Sequence, residues 1–170
     1  YSLLRDLRTS AVVDRSKQQH TRTLVVELPK LVRAVAARPN EQRPEVSEAA
    51  THALSRIAQG LAYVSPASQE TLLLEAFART GVLKATVRCC FRAECSEEAL
   101  LLGLTVLSNT AFLKCTGLLL EAGAPKLLYR LLCHEETGEA ANAYAAAALR
   151  HLTSEPSGAA AFDRPQRRTL

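Results

Sequence analysis

The chain has 170 residues, 48% of them apolar and 22% charged, with four Tyr, four Phe and neither Trp nor Met. That length allows one domain with a real core or a short repeat array, and that composition excludes a disordered chain. The net charge of +4 is uneven: residues 1–43 carry nine Lys/Arg against four Asp/Glu, residues 44–159 nine against twelve, and the tail from 160 three Arg against Asp163. A basic front and tail around a mildly acidic middle suit an acidic partner, although solvated helix faces produce the same pattern.

A chain that begins at Tyr1 and lacks Met is expected to be a fragment or a trimmed chain. No apolar run reaches the roughly 18–20 residues needed to span a membrane, and YSLLRDLR lacks the order of a signal peptide. The cysteines are Cys89, Cys90, Cys95, Cys115 and Cys133. An odd count without a secretory segment points to a reducing compartment, hence an intracellular, cytoplasmic protein.

Taken in order, YSLLRDLRT (1–9) reads as the end of a helix, with Leu3, Leu4 and Leu7 at helical spacing. Residues 10–16 read as a linker. KQQHTRTLVVE (17–27) is followed by Pro29, and KLVRAVAAR (30–38) by a Pro-rich loop. EVSEAATHALSRIAQG (45–60) is a strong helix, with Val46, Ala49, Ala50, Ala53, Leu54 and Ile57 on one face and Gly60 as its expected terminator. Pro66 suits the first turn of a helix over 66–79, which Gly81 ends, and VLKATVRCCF (82–91) makes a short helix.

Ser96 before Glu97 and Glu98 predicts a capped helix start, because a hydroxyl and two carboxylates complement the free N–H groups there. The helix they open, 97–109, is apolar on nearly every side and should be buried between neighbours. AFLKCTGLLLEA (111–122) follows, with Gly117 a weak point; then Gly123-Ala124-Pro125, KLLYRLLC, the Ala-rich helix 138–152, and a last element that Pro165 ends. LVVEL (24–28) is the only β-branched run and is too isolated for a sheet, so the chain reads as all-α, in about ten helices or pieces.

The order repeats. A medium helix, a corner and a short helix precede a polar loop and a long helix, with corners at Leu28-Pro29, Gly81-Val82-Leu83 and Gly123-Ala124-Pro125. The long helices end alike, in ALSRIAQ (53–59), GLTVLSN (103–109) and ALRHLTS (148–154), at steps of 50 and 45 residues. A period near 40–50 with three helices per unit predicts a stacked helical solenoid, in which neighbours cover each unit's apolar face. The expected division is 1–10 as the end of a preceding repeat, 15–60, 65–109 and 111–154 as three repeats, and 155–170 as the start of another with a basic tail.

On these features the chain resembles the armadillo-repeat family: LLLEAGAPKLLYRLL (118–132) is similar to that family's first-to-second helix junction, and EEALLLGLTVLSN and EVSEAATHALSRIAQ to its third helix. The resemblance covers nearly the whole chain and implies a right-handed α-solenoid of three-helix repeats. HEAT repeats, with two helices per unit, are the nearest competitor. It also implies a groove lined by the third helices, where some members hold extended peptides with a Trp and an Asn one turn apart. The matching pairs here are His52 and Arg56, Leu102 and Val106, and Ala147 and His151, so that ladder is absent. The implied groove residues are His52, Arg56, Val106, Asn109, Arg150 and His151, which ordinary helix surface would equally explain.

No Gly-rich phosphate loop, paired metal-binding histidines or nucleophile elbow is present, and no enzyme is expected. The spacing CCxxxxC at Cys89, Cys90 and Cys95 is not that of a zinc site. Cys133-His134 would complete four ligands only if the fold brought them in; buried structural thiols are the plainer expectation. The basic front, from Arg5 to Arg33, has no aromatic platforms for stacking bases, so nucleic acid is not an expected partner. The expectation is a non-catalytic, cofactor-free scaffold or adaptor that binds protein partners, including acidic or extended segments. The alternatives are a structural solenoid segment of a large assembly and a thiol- or metal-sensing helical domain. Leu3, Leu4, Leu7 and Phe162 are expected to need covering at the ends.

Overall fold

The computed structural model describes residues 2–38, 45–64, 70–92, 95–135 and 137–163, of which 2–17, 45, 46, 70, 71 and 163 are described by backbone alone. The described residues are helical throughout their regular structure: α1 Ser2–Ala36, α2 Glu45–Ala62, α3 Glu70–Thr80, α4 Val82–Cys90, α5 Glu97–Phe112, α6 Thr116–Ala122, α7 Ala124–Cys133, α8 Glu139–Thr153 and α9 Pro156–Asp163. Pro66 and Pro165, the expected helix start and stop, lie outside the described residues, as do the side chains of Leu3, Leu4 and Leu7.

The largest departure from expectation is at the front. The linker at 10–16 and the corner at Leu28-Pro29 are both absent, and α1 runs through them with Pro29 inside it. A proline interior to a helix costs about 3 kcal/mol, because it removes one N–H bond and crowds the preceding turn. Pro29, however, lies on the exposed side, while Thr21, Leu24, Leu28 and Val35 keep one buried stripe in phase across it. Burying each large apolar member contributes about 1.5–3 kcal/mol, so the stripe outweighs the proline.

Gly60 does not end α2 either; the helix continues to Ala62. A β-carbon there would stand 2.7 Å from the Leu24 side chain, so this glycine is a point of close approach between α1 and α2. The expected break near residue 110 moves to 113–115, where Lys114 takes φ 60, so Phe112 joins α5. Gly117 sits inside α6 without ending it.

The remaining punctuation behaves as its chemistry dictates. Gly81 and Gly123 adopt the left-handed region at φ 66 and 78, which turns α3 into α4 and α6 into α7 with no helix-to-helix linker. Pro125 follows Gly123 within the first turn of α7, where a missing N–H costs nothing. The Ser96 hydroxyl accepts from the Ala99 N–H at 3.2 Å and caps α5.

Packing follows the order of the chain. α2, α5 and α8 form a row with α5 in the middle, and α4 also lies against α5. α1 flanks α2 and reaches α3 and α4, while α7 packs on α8 and α4. Along the row, Ile57, Leu107 and Leu152 occupy matching positions in the three long helices, and each is 0% exposed. One apolar cluster runs from Leu24 through the row to Leu152, and a second joins Leu104 and Leu128 to Ala141, Ala145 and Ala148. Phe162, expected to need an outside cover, packs half-buried against the first cluster.

Two glycine substitutions should separate packing from helix propensity. Gly103 lies in α5 directly against the Cys90 sulfur, whereas Gly117 faces open space in α6. Gly117→Ala is expected to stabilise by about 0.5–1 kcal/mol through helix propensity alone. Gly103→Ala should instead destabilise by about 1–3 kcal/mol, because overpacking opposes that gain. Urea denaturation of both variants measures the difference in sign.

Candidate functional site

The six groove residues expected from sequence do not form one site. His52 is exposed on α2. Arg56, one turn on, is half-buried, and its guanidinium bonds the Glu27 carboxylate of α1 at 3.0 Å. Both side chains remain about two-fifths exposed, at 42% and 38%, so the pair contributes on the order of 0.2–1 kcal/mol. Val106 is fully buried in the main cluster, a correction to its expected place on a groove surface. The reason is its position: α5 is covered by α2 on one side and α8 on the other, so a face that is open on an end helix is closed on the middle one. Asn109 is half-buried in the last turn of α5, where its carbonyl accepts from the Leu113 N–H. Arg150 is exposed on α8, and half-buried His151 meets the Phe112 ring edge-on, centroids 5.4 Å apart.

Two clefts open between helices among the described residues. A cavity of about 420 Å³ opens between α1 and α2, lined by Gln19, His20, Thr23, Arg56, Gln59 and Tyr63. His20 stacks on Tyr63 with centroids 4.9 Å apart and planes 27° apart. The floor is Leu24 against Gly60, so the close helix approach sets the depth of the cleft. A second cleft of about 530 Å³ lies between the end of α4 and the α7–α8 pair, with Phe91, Arg92, Glu97, Arg130 and His134 around it. The Arg130 guanidinium lies over the Phe91 ring at 5.6 Å.

His20, Tyr63 and Phe112 were not among the residues expected to act. Tyr63 falls in a stretch read as loop, and Phe112 in what reads as the following helix. Phe112 becomes conspicuous only because α5 overruns, which leaves it 61% exposed beside His151.

The cysteines divide by environment. Cys133 is exposed at the end of α7, and Cys115 is buried before α6. Cys89 and Cys95 are in thiol contact, and Cys90 is buried against α5. A hydrogen bond from the Cys95 thiol lowers Cys89 to about 7, helped by the Arg92 charge and opposed by burial. Burial pushes Cys90 up to about 12, and the same thiol contact raises Cys95 above the usual range. Cys133 and His134 do not complete a four-ligand set with them: among the described residues no group of three His, Cys, Asp or Glu side chains is placed to hold a metal ion. Nor is any described helix long and apolar enough to cross a membrane.

Arg92 ties this corner to the front of the chain. Its Nη1 donates to the Ala37 carbonyl at 2.6 Å and its Nη2 to the Ala36 carbonyl at 3.0 Å. These are among the last carbonyls of α1, which have no intrahelical donor, and the cation also suits the negative end of the helix dipole.

Comparison with protein-family models gives no match to the chain, and comparison with curated proteins gives none.

The thiol environments set a pH dependence. Cys89 is depressed when folded, so between about pH 7 and 9 the unfolded chain holds a proton that the folded chain has lost, and stability rises with pH. Above about pH 9 the unfolded chain releases protons that folded Cys90 and Cys95 retain, and stability falls. Melting temperatures taken from pH 6.5 to 11 are expected to rise and then fall by this thiol contribution, and Cys89→Ser should flatten the rising limb and shrink the fall to the part that the burial of Cys90 carries.

Proposed function

We propose that the chain is a non-catalytic helical-repeat scaffold of the armadillo-like kind, built as a right-handed solenoid, that binds a protein segment along the outer faces of its long helices. The observation that carries this reading is the row α2, α5, α8, with Ile57, Leu107 and Leu152 at matching buried positions and glycine-turned helix pairs between the long helices. Two short helices precede each of the long helices α5 and α8, which favours a three-helix unit over the two-helix HEAT unit.

A preformed stack of this type presents a long surface at little ordering cost. His52, Arg56 and Arg150 lie on the outer faces of the end helices and suit an acidic or extended segment, and the Arg56–Glu27 pair would exchange its carboxylate for one on the partner. Five cysteines without a disulfide fit a reducing, cytoplasmic setting.

A second reading, a structural segment of a larger assembly, is favoured by α7. Tyr129 and Leu132 are exposed at 55% and 40%, whereas the matching Val87 and Cys90 of α4 are buried. Such a face is what a stacked neighbour would cover.

The scaffold reading is tested by charge reversal. Chemical cross-linking followed by mass spectrometry should identify proteins bound to the wild-type chain that the variant His52→Glu, Arg56→Glu, Arg150→Glu loses by at least tenfold, with an unchanged helical circular dichroism spectrum. Identical partners on both chains, contacting α7 instead, would favour the assembly reading and defeat the groove.

A further inference from the structure

The corner between α4 and α5 holds chemistry that a scaffold does not require. Cys89 closes the last turn of α4 and Cys95 immediately precedes the cap of α5, so two thiols six positions apart in the chain stand at one corner. Both line one small cavity with Arg92, walled by Ala37, Ala50 and Ala99. Its volume of about 20 Å³ admits a water-sized molecule and little else. Arg92 cannot swing away, because two of its nitrogens are bonded to the end of α1. A fixed guanidinium beside a thiol favours the thiolate, which is the nucleophilic form. The Ser96 carbonyl, 3.6 Å from the second thiol, is an alternative acceptor for its single proton, and that thiol is part-exposed where Cys89 is buried.

We propose that Cys89 and Cys95 form a peroxide-oxidisable thiol pair, in which hydrogen peroxide entering the Arg92 cavity converts the two thiols to a reversible disulfide. The Cys89 thiolate attacks one peroxide oxygen; an S–O bond forms, the O–O bond breaks, and the departing hydroxide takes a proton from solvent to become water. The Cys95 sulfur, its proton given to solvent, then attacks the Cys89 sulfenic sulfur. The S–S bond forms, the S–O bond breaks, and a second hydroxide leaves and is protonated. Two thiols are oxidised, peroxide accepts two electrons and yields two waters, and a dithiol reductant reverses the change.

Cavity size governs which oxidant reaches Cys89. Peroxide is close to water in size, whereas oxidised glutathione cannot reach that buried sulfur through such an opening. Cys95 also borders the wider cleft beside α7, but the neighbouring thiol and burial hold it protonated and therefore a poor nucleophile. Cys90 takes no part, since burial keeps it protonated against α5. Exposed Cys133 is the internal comparison: access alone would make it the first to react. The disulfide would staple the α4–α5 corner on which the Arg92 clamp depends. None of this rests on the scaffold reading.

The test uses the whole chain. Native protein is treated with hydrogen peroxide, blocked with iodoacetamide and analysed by intact-mass and peptide mass spectrometry. Before blocking, the expected product shows a loss of about 2 Da, two hydrogens, reversed by dithiothreitol; after blocking, its peptide map shows a peptide linked through Cys89 and Cys95. Cys90→Ala should still form it. Cys95→Ser should stop at a sulfenic acid on Cys89, trapped when the oxidised chain is unfolded in the presence of dimedone, and oxidised glutathione should react with the native chain at least roughly tenfold more slowly than peroxide. Oxidation that falls first on Cys133, or a disulfide that forms through Cys90 in preference to Cys89, would overturn the proposal. Since the wild-type peptide map decides this alone, a variant that fails to fold does not shelter it.

Discussion

Everything in this fold answers to one requirement, that α5 be covered. Its sequence, EEALLLGLTVLSNTAF, has no polar face to offer water, and a helix of that kind is stable only when other helices enclose it. α2 and α8 lie along it on either side, and α4 and α6 pack on it from behind. Small residues make the enclosure close: Gly103 lets the Cys90 sulfur touch the α5 backbone region, and the alanines of α8 bring that helix near Leu104. Within the row, the basic residues Arg56 and Arg150 accordingly lie on the end helices α2 and α8, and α5 carries none.

The same requirement explains what could be read from the sequence. The α5 cap was legible because Ser96, Glu97 and Glu98 act locally, on N–H groups within one turn of themselves. The corners at Gly81 and Gly123 were legible because a left-handed backbone favours glycine; a third such turn carries Lys114 and gave no such signal. Pro29 and Gly60 were misread for the opposite reason. Both are local helix-breaking signals, and both are overruled by tertiary contacts: Pro29 by a buried stripe that continues past it, Gly60 by the Leu24 side chain lying against it. A breaker residue tells what the chain would do alone, not what its neighbours will hold it to.

The binding surface was less legible than the fold. Periodicity could assign Val106 to the same helical position as Arg56 and His151, but not the difference in cover between a middle helix and an end helix. The Glu27–Arg56 pair joins helices 29 residues apart, and Arg92 reaches carbonyls more than fifty residues back, distances over which a single sequence carries no pattern. The thiol pair was visible only as an unusual spacing. What makes Cys89 unlike Cys90, its immediate neighbour, is which side of α4 each faces.

The packing order has a further consequence, for how the chain reaches its native state. The helices that touch lie at most three apart in chain order: α4 with α5, α7 with α8, α8 with α9, and each long helix with the next across two short ones. Little chain entropy is lost in bringing such partners together, and folds of this kind assemble rapidly, from any point where two neighbours first meet. α1 meets α4 at that same separation, across α2 and α3. The Arg92 bonds to Ala36 and Ala37 belong to that contact, so they fasten the end of a helix that its apolar stripe also holds.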